Sequence, residues 1–161
     1  MEEEKEEIPL VVFQLGKEEY GVEVSQVREI IKMKEITRIP NQPEFIEGLI
    51  NLRGQIIIVI DLRKRFLLQD KNEIRDNARI IIVEFKDHII GMIVDSVSEV
   101  LRLSTENIGE IPNIKSNINK EYLKGVGKIG KRILILLDLN KILTELEIEQ
   151  VSKVEQKTKI T

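Results

Sequence analysis

Tyr20-Gly21-Val22-Glu23-Val24-Ser25-Gln26-Val27-Arg28-Glu29-Ile30 returns later in the chain as Ile90-Gly91-Met92-Ile93-Val94-Asp95-Ser96-Val97-Ser98-Glu99-Val100, with the glycine, two valines and the glutamate in register. Further matches follow in the same order. Phe45-Ile46-Glu47-Gly48-Leu49 answers Tyr122-Leu123-Lys124-Gly125-Val126, and Ile56 to Lys64 answers Ile133 to Lys141. Ile39-Pro40 and Ile111-Pro112 stand ahead of these matches, and a longer connection after Pro112 accounts for most of the change in spacing. Two copies are too few for a solenoid, which stacks several repeats. Each copy has roughly 60 to 70 residues, a size at which one core supplies little stability alone, so the copies are expected to pack together.

Each copy reads as β structure. Isoleucine and valine dominate the apolar set, and their restricted χ1 suits pleated strands. Strands are predicted at 10–15, 20–24, 29–38, 48–52, 55–60, 79–85, 89–94, 99–103, 125–129 and 132–137. Gly16-Lys17, Arg53-Gly54, Lys86-Asp87 and Gly130-Lys131 join neighbouring runs through connections too short for crossovers, so those pairs are antiparallel. Ser25 and Asp95 share a repeat position and are both good N-cap residues, which predicts a short helical turn after the second strand of each copy. The fold class is mainly β, with two small barrels side by side. The domain runs over 8–157, with subdomains at about 8–70 and 78–145. Leu139, Ile142, Leu143, Leu146, Val151 and Val154 recur at helical spacing, which predicts a C-terminal helix over about 138–155. The polar ends, 1–7 and 158–161, are expected to be disordered. Whether each barrel closes within its own half, or a terminal strand crosses over, is left open by the repeat.

Composition narrows the function. The 161 residues lack cysteine and tryptophan and include one histidine, His88, so thiolate chemistry, zinc–thiolate sites and most Ser–His triads have no material here. A net charge of −3 argues against a protein built to neutralise phosphate backbones, and no basic run has interleaved aromatics for base stacking. No apolar segment is long enough to cross a membrane and the start is acidic, so the expected address is cytoplasmic, without membrane insertion. Gly125-Val126-Gly127-Lys128-Ile129-Gly130 spells a dinucleotide-loop pattern, but it lies in a β repeat with no following helix start.

The repeat separates fold from function, because a polar residue present in one copy only is the better functional candidate. Asp61 and Asp138 occupy equivalent places after an apolar strand and read as helix caps rather than a general acid and base. Glu29 is matched by Glu99, but Lys32, Lys34 and Arg38 follow it along one face. Asn51-Leu52-Arg53-Gly54 is the sharpest asymmetry, since its counterpart is Lys128-Ile129-Gly130-Lys131. A tight reversal there holds Arg53 between two strands, where its planar donors can bond a partner's carboxylate or carbonyl.

Taken in order, Tyr20-Gly21-Val22-Glu23-Val24, Val27-Arg28-Glu29-Ile30-Ile31, Ile36-Thr37-Arg38-Ile39-Pro40, Asn51-Leu52-Arg53-Gly54 and Val59-Ile60-Asp61-Leu62-Arg63 resemble the CheW family of bacterial chemotaxis coupling proteins. The resemblance runs from about Leu10 to Leu146. It implies two SH3-like five-stranded barrels and no catalysis, cofactor or metal. It implies an adaptor joining the cytoplasmic tips of chemoreceptors to the regulatory domain of the histidine kinase CheA, in receptor arrays at the inner face of the membrane. It also implies a receptor contact in an apolar groove between the barrels, carried by positions matching Val27, Glu29, Ile30 and Arg53. Val100 joins this set, although a strand valine there also suits a core. Kinase contacts are not assigned. The alternative within the same architecture is a β-barrel binding module in a related receptor–kinase pathway that does not control motility. A carboxylate enzyme and a single-strand-binding barrel are the rival classes.

Overall fold

A computed structural model describes residues 6–66, 76–85, 87–109 and 123–142 of the chain. The strands are β1 (Glu7–Leu15), β2 (Glu18–Glu23), β3 (Val27–Lys32), β4 (Ile46–Leu52), β5 (Gln55–Asp61), β6 (Arg79–Phe85), β7 (His88–Val94), β8 (Ser96–Ser104), β9 (Ile108–Gly109), β10 (Leu123–Ile129) and β11 (Arg132–Leu137). Two short helices, α1 (Leu62–Arg65) and α2 (Leu139–Ile142), follow β5 and β11. The strands form two sheets, one ordered β8-β1-β2-β11-β10-β9 and the other β3-β6-β7-β5-β4. Each belongs to one SH3-like barrel, called here barrel A and barrel B respectively.

The barrels do not follow the halves of the sequence. β1 and β2 of the first copy join β8, β10 and β11 of the second, while β6 and β7 of the second join β3, β4 and β5 of the first. The exchange obeys the repeat residue by residue. β2 runs parallel to β11 with Tyr20 opposite Ile135, and β7 runs parallel to β5 with Ile90 opposite Ile58. β1 sets Val12 against Glu99 and β6 sets Ile82 against Glu29. Even the irregularities are copied: bulges fall at Arg28 and Ser98, and again at Glu47 and Lys124. A bulge inserts one residue and turns the strand. Repetition at equivalent places makes these bulges part of the barrel design.

Strands buried on both faces explain the near-continuous apolar runs. Along β5, Ile57 and Val59 face the inside of barrel B, together with Ile80, Ile82 and Ile93. The alternate residues Ile58 and Ile60 face a central layer with Val11, Phe13, Ile81, Val83, Ile90 and Met92 from the strands of both barrels. Barrel A has its own smaller interior of Leu10, Val12, Leu103, Leu134 and Leu136. The central layer is the largest cluster, and in it Tyr20 stacks between Phe13 and Phe66 at centroid distances of 5.8 and 6.0 Å. A mostly buried ion pair adds a polar tie to this packing. Arg63, on α1, is buried with a nitrogen 3.4 Å from Asp95 at the β7–β8 junction, and Asp95 accepts the Gly16 N–H from the β1–β2 turn at 2.7 Å.

Several sequence expectations are corrected. The strand expected over 29–38 ends at Lys32, and Thr37 instead forms an isolated bridge to Leu49 on β4. That bridge is the counterpart of β9, which pairs with β10 at Gly109 and Val126. Gly48 explains why the chain can pass so close: a Cβ there would stand 2.1 Å from the Thr37 carbonyl oxygen, and its φ is +150°. Only one of the two expected helical turns forms, at Val24–Gln26, with Glu23 rather than Ser25 in the cap position. Asp95 leads directly into β8, since its carboxylate is engaged by Gly16 and Arg63. A second 3-10 turn, Thr105–Asn107, is capped instead by Ser104. β1 already begins at Glu7, within the end expected to be disordered. Of the C-terminal helix, Leu139–Ile142 is described. Residues 143–155, residues 1–5 and 158–161, and most of the connection between the copies lie outside the described residues.

Two outcomes follow from the exchange and the close approach. Residues 1–70 and 76–161, produced as separate chains, each lack strands of both barrels. Circular dichroism and size exclusion should show neither folding alone and a one-to-one folded complex on mixing. Gly48→Ala should lower unfolding free energy by about 3 kcal/mol through backbone overlap and strain, and Gly125→Ala by about 1 kcal/mol, because its Cβ would meet its nearest neighbour at 3.1 Å. Urea midpoints of the two variants check the order.

Candidate functional site

The β4–β5 hairpin reverses through Arg53 and Gly54, with Leu52 opposite Gln55. Both turn residues have positive φ, 51° and 87°, the geometry that matches the twist of a two-residue hairpin. A side chain in this left-handed region costs roughly 1–2 kcal/mol. The Asn51 side-chain oxygen supports the turn by accepting the Gly54 N–H at 2.8 Å, and the Asn51 carbonyl accepts from Lys34 Nζ at 2.6 Å. Arg53 is thereby held on a braced reversal between two rigid strands.

β3 supplies the other half. It and β4 are the outer strands of their sheet. The bulge at Arg28 precedes Glu29, which pairs with Ile82 and whose Oε2 accepts a bond from Arg53 Nη2. The interaction therefore ties one outer strand to the tip of the hairpin formed by the other. The hydrogen bond from Arg53 holds the Glu29 carboxyl below the usual carboxylate range, with the charges of Arg53 and Arg28 acting in the same direction. Glu29 in turn raises the pKa of Arg53. The Arg53 side chain is 69% exposed, and a guanidinium has five N–H donors, so the pair leaves bonding capacity at the surface.

Ile30, next along β3, is 38% exposed, while Val27 is half-buried against the central layer. Val27, Glu29, Ile30 and Arg53 are thus gathered on β3 and the adjoining hairpin. Val100 lies on β8 in the other sheet and is 61% exposed, so it is a surface residue rather than core. It is the repeat counterpart of Ile30. Ile56 and Ile133 form a second equivalent pair of exposed isoleucines, at 45% and 60%. Sequence reasoning passed over this pair because apolar residues in β runs look like core; their position next to the hairpin turns is the only available signal.

It also passed over a second arginine. Glu99, the counterpart of Glu29, bonds Arg132 at 2.6 Å, and Arg132 also bonds Glu19 at 2.6 Å. The asymmetry seen at Arg53 against Gly130 is therefore one of placement: barrel A has its arginine two positions further on, shared between two carboxylates. Asp61 caps α1, accepting the Arg63 N–H at 2.9 Å, and is buried. Asp138 immediately precedes α2. His88 is half-buried at the start of β7.

Comparisons with known proteins agree with this architecture. A family profile described as CheW-like domain matches residues 9–147. The chemotaxis protein CheW of Klebsiella aerogenes is 41% identical over 144 residues, covering 89% of this chain and 86% of that one. The CheW of Treponema pallidum is 35% identical over 150 residues, covering 91% and 88%. The crystal structure of the scaffolding protein TtCheW from Thermoanaerobacter tengcongensis superposes with a TM-score of 0.78 at 39% identity, covering 85% of this chain and 92% of that one. With the profile spanning most of the described strands and both barrels reproduced in a solved relative, the chain belongs to the CheW-like family.

Proposed function

We propose that the chain is a non-catalytic adaptor that couples the cytoplasmic tips of chemoreceptors to the regulatory domain of the histidine kinase CheA. The observation that carries this reading is the Glu29–Arg53 pair, an exposed, directional polar contact beside apolar residues, in a chain whose relatives are chemotaxis CheW proteins. Among the described residues no helix is long and apolar enough to cross a membrane. Recruitment to receptor arrays at the inner face of the membrane then comes from protein contacts.

The receptor tip is a helical hairpin whose Leu, Ile and Val side chains bury against Val27, Ile30 and Val100. Burying aliphatic surface supplies affinity, and the Glu29–Arg53 pair sets register and rejects partners that leave it unmatched. The pair is already assembled in the unbound chain, which limits the ordering cost of binding. Nothing in this mechanism needs a proton transfer or a nucleophile.

Two measurements test it. Arg53→Ala should weaken binding of a receptor hairpin tip about tenfold or more in titration calorimetry, because a lost charged hydrogen bond costs roughly 1.5–3 kcal/mol. The variant's melting temperature should stay close to that of the parent, since removing the side chain from a left-handed turn takes away no buried contact. Unchanged receptor affinity would remove Arg53 from the site. The pair also predicts a pH dependence. Because the folded chain lowers the Glu29 pKa, the contribution of the pair is complete above the ordinary carboxylate range and is lost as pH falls through the depressed folded value. Carboxyl 13C titration should find Glu29 protonating below the exposed glutamates in the parent, and among them in Arg53→Ala.

A further inference from the structure

The strand exchange is reciprocal, so a pseudo-twofold axis relates the two copies. A surface built across that axis shows a partner the same apolar features twice. Ile30 lies opposite Ile81 on β6, and Val100 lies opposite Val11 on β1. Residues facing each other on adjacent strands share a face of the sheet, and Ile81 and Val11 both belong to the central layer. Ile30 and Val100 therefore carry the two margins of one layer to the surface, on the outer strands β3 and β8. Ile56 and Ile133 follow the same symmetry. A helical hairpin has two antiparallel helices, so apolar contacts alone leave it two nearly equivalent ways to lie across the barrels.

The polar groups beside these margins are not equivalent. Arg53 has one carboxylate beside it, Glu29, and the two charges balance. Arg132 lies between two, with Nη2 2.6 Å from both Glu19 Oε2 and Glu99 Oε1, which leaves a formal excess of one negative charge. The second carboxylate is particular to barrel A, since the repeat counterpart of Glu19 is Ile89, packed against the interior of barrel B. Arg132 is held from β2 and β8 at once and its side chain is 40% exposed, against 69% for Arg53. Neighbouring cations do not separate the two contacts: Arg28 and Lys34 flank the pair in barrel B, and Lys128 and Lys131 lie on the hairpin that carries Arg132. We infer that Glu19 is a specificity-determining residue, which fixes the orientation of the receptor hairpin by turning its acidic side chain away from Arg132 and onto Arg53. An acidic group is the one that a guanidinium selects. Beside Glu19 and Glu99 it would meet like charge, a cost large enough to favour one orientation about tenfold or more. The inference deepens the adaptor reading and rests on it.

A nitroxide on one helix of a receptor hairpin tip reads the orientation through paramagnetic broadening of methyl signals in the labelled full chain. In the parent the broadening is expected on one barrel only, at Ile30 and Ile56 or at Val100 and Ile133, and on the other barrel when the label moves to the second helix. Glu19→Gln keeps the size of the side chain and removes its charge, and Glu19→Ile, with the apolar character of Ile89, is the second variant. Both should spread the broadening over the two barrels from either helix, whereas Glu19→Asp, which keeps the charge, should hold the parent pattern. Adding Arg53→Ala to Glu19→Gln should reverse the pattern and, in calorimetry, regain part of the affinity that Arg53→Ala alone loses. A single orientation retained in Glu19→Gln and Glu19→Ile, or both barrels broadened in the parent, would overturn the inference and leave the adaptor reading standing. A parent that binds no hairpin overturns both.

Discussion

Each barrel is completed by the first two strands of the other repeat, and this exchange is the constraint on which the rest of the molecule depends. A barrel of five or six short strands encloses few side chains. The exchange compensates by giving β1, β5, β6 and β7 a second apolar face, and β2 its apolar face, directed into a layer shared between the barrels. The stacked rings of Phe13, Tyr20 and Phe66 belong to that layer, so the largest side chains serve both barrels rather than either one. Arg63 and Asp95 extend the same logic to polar groups. A buried arginine is costly unless paired, and its partner also anchors the β1–β2 turn of the other barrel. Separating the barrels would expose the apolar layer and break this contact together.

The repeat, the strand positions and the short reversals were legible in the sequence because each is a local property: alternation, β-branched runs, glycine in turns. The exchange was not. Tyr20 alternates with Gly21 in the same way whether its neighbour is the last strand of its own copy or of the other, so periodicity cannot choose between Ile58 and Ile135 as the source of that neighbour. The failure at Thr37 has a related cause. Lys32, Lys34 and Arg38 suggest a continuing strand, but a single bridge to Leu49 decides the path, and it depends on the vacant Cβ position of Gly48 on a distant element. Asp95 has the chemistry of a helix cap and uses it on Gly16, a residue far away in sequence, because that N–H is presented at the right place.

The candidate site was half legible for the same reason. Arg53 stands out by comparison of the copies, and Glu29 by the charges that follow it, but neither shows that the two meet. Their contact depends on the bulge before Glu29 and on a turn that holds a non-glycine residue at positive φ. Comparison of the copies also overstated the difference, since Arg132 provides barrel A with a related pair through a different position. The exposed positions Ile30, Val100, Ile56 and Ile133 are a complementary lesson. In a chain so rich in isoleucine and valine, an apolar residue on a strand does not distinguish a surface from a core until both faces of that strand are assigned to neighbours.

The exchange fixes how the two candidate surfaces sit relative to each other. The Glu29–Arg53 contact depends on β3 and the β4–β5 hairpin, while Arg132 on β11 is held by Glu19 of β2 and Glu99 of β8. These strands belong to different barrels, yet β2 and β3 are separated in the chain by only Val24–Gln26. A load on one barrel is thus transmitted to the other through a three-residue connection and through the shared apolar layer, with no flexible linker between them. For an adaptor this matters more than the strength of either contact. Two proteins held on strands of one cooperative core keep a fixed mutual orientation, whereas two barrels joined by a loose tether would raise local concentration without setting direction. The interlocked repeat thus adds a rigid frame to the support that the Glu29–Arg53 pair gives the proposed coupling role.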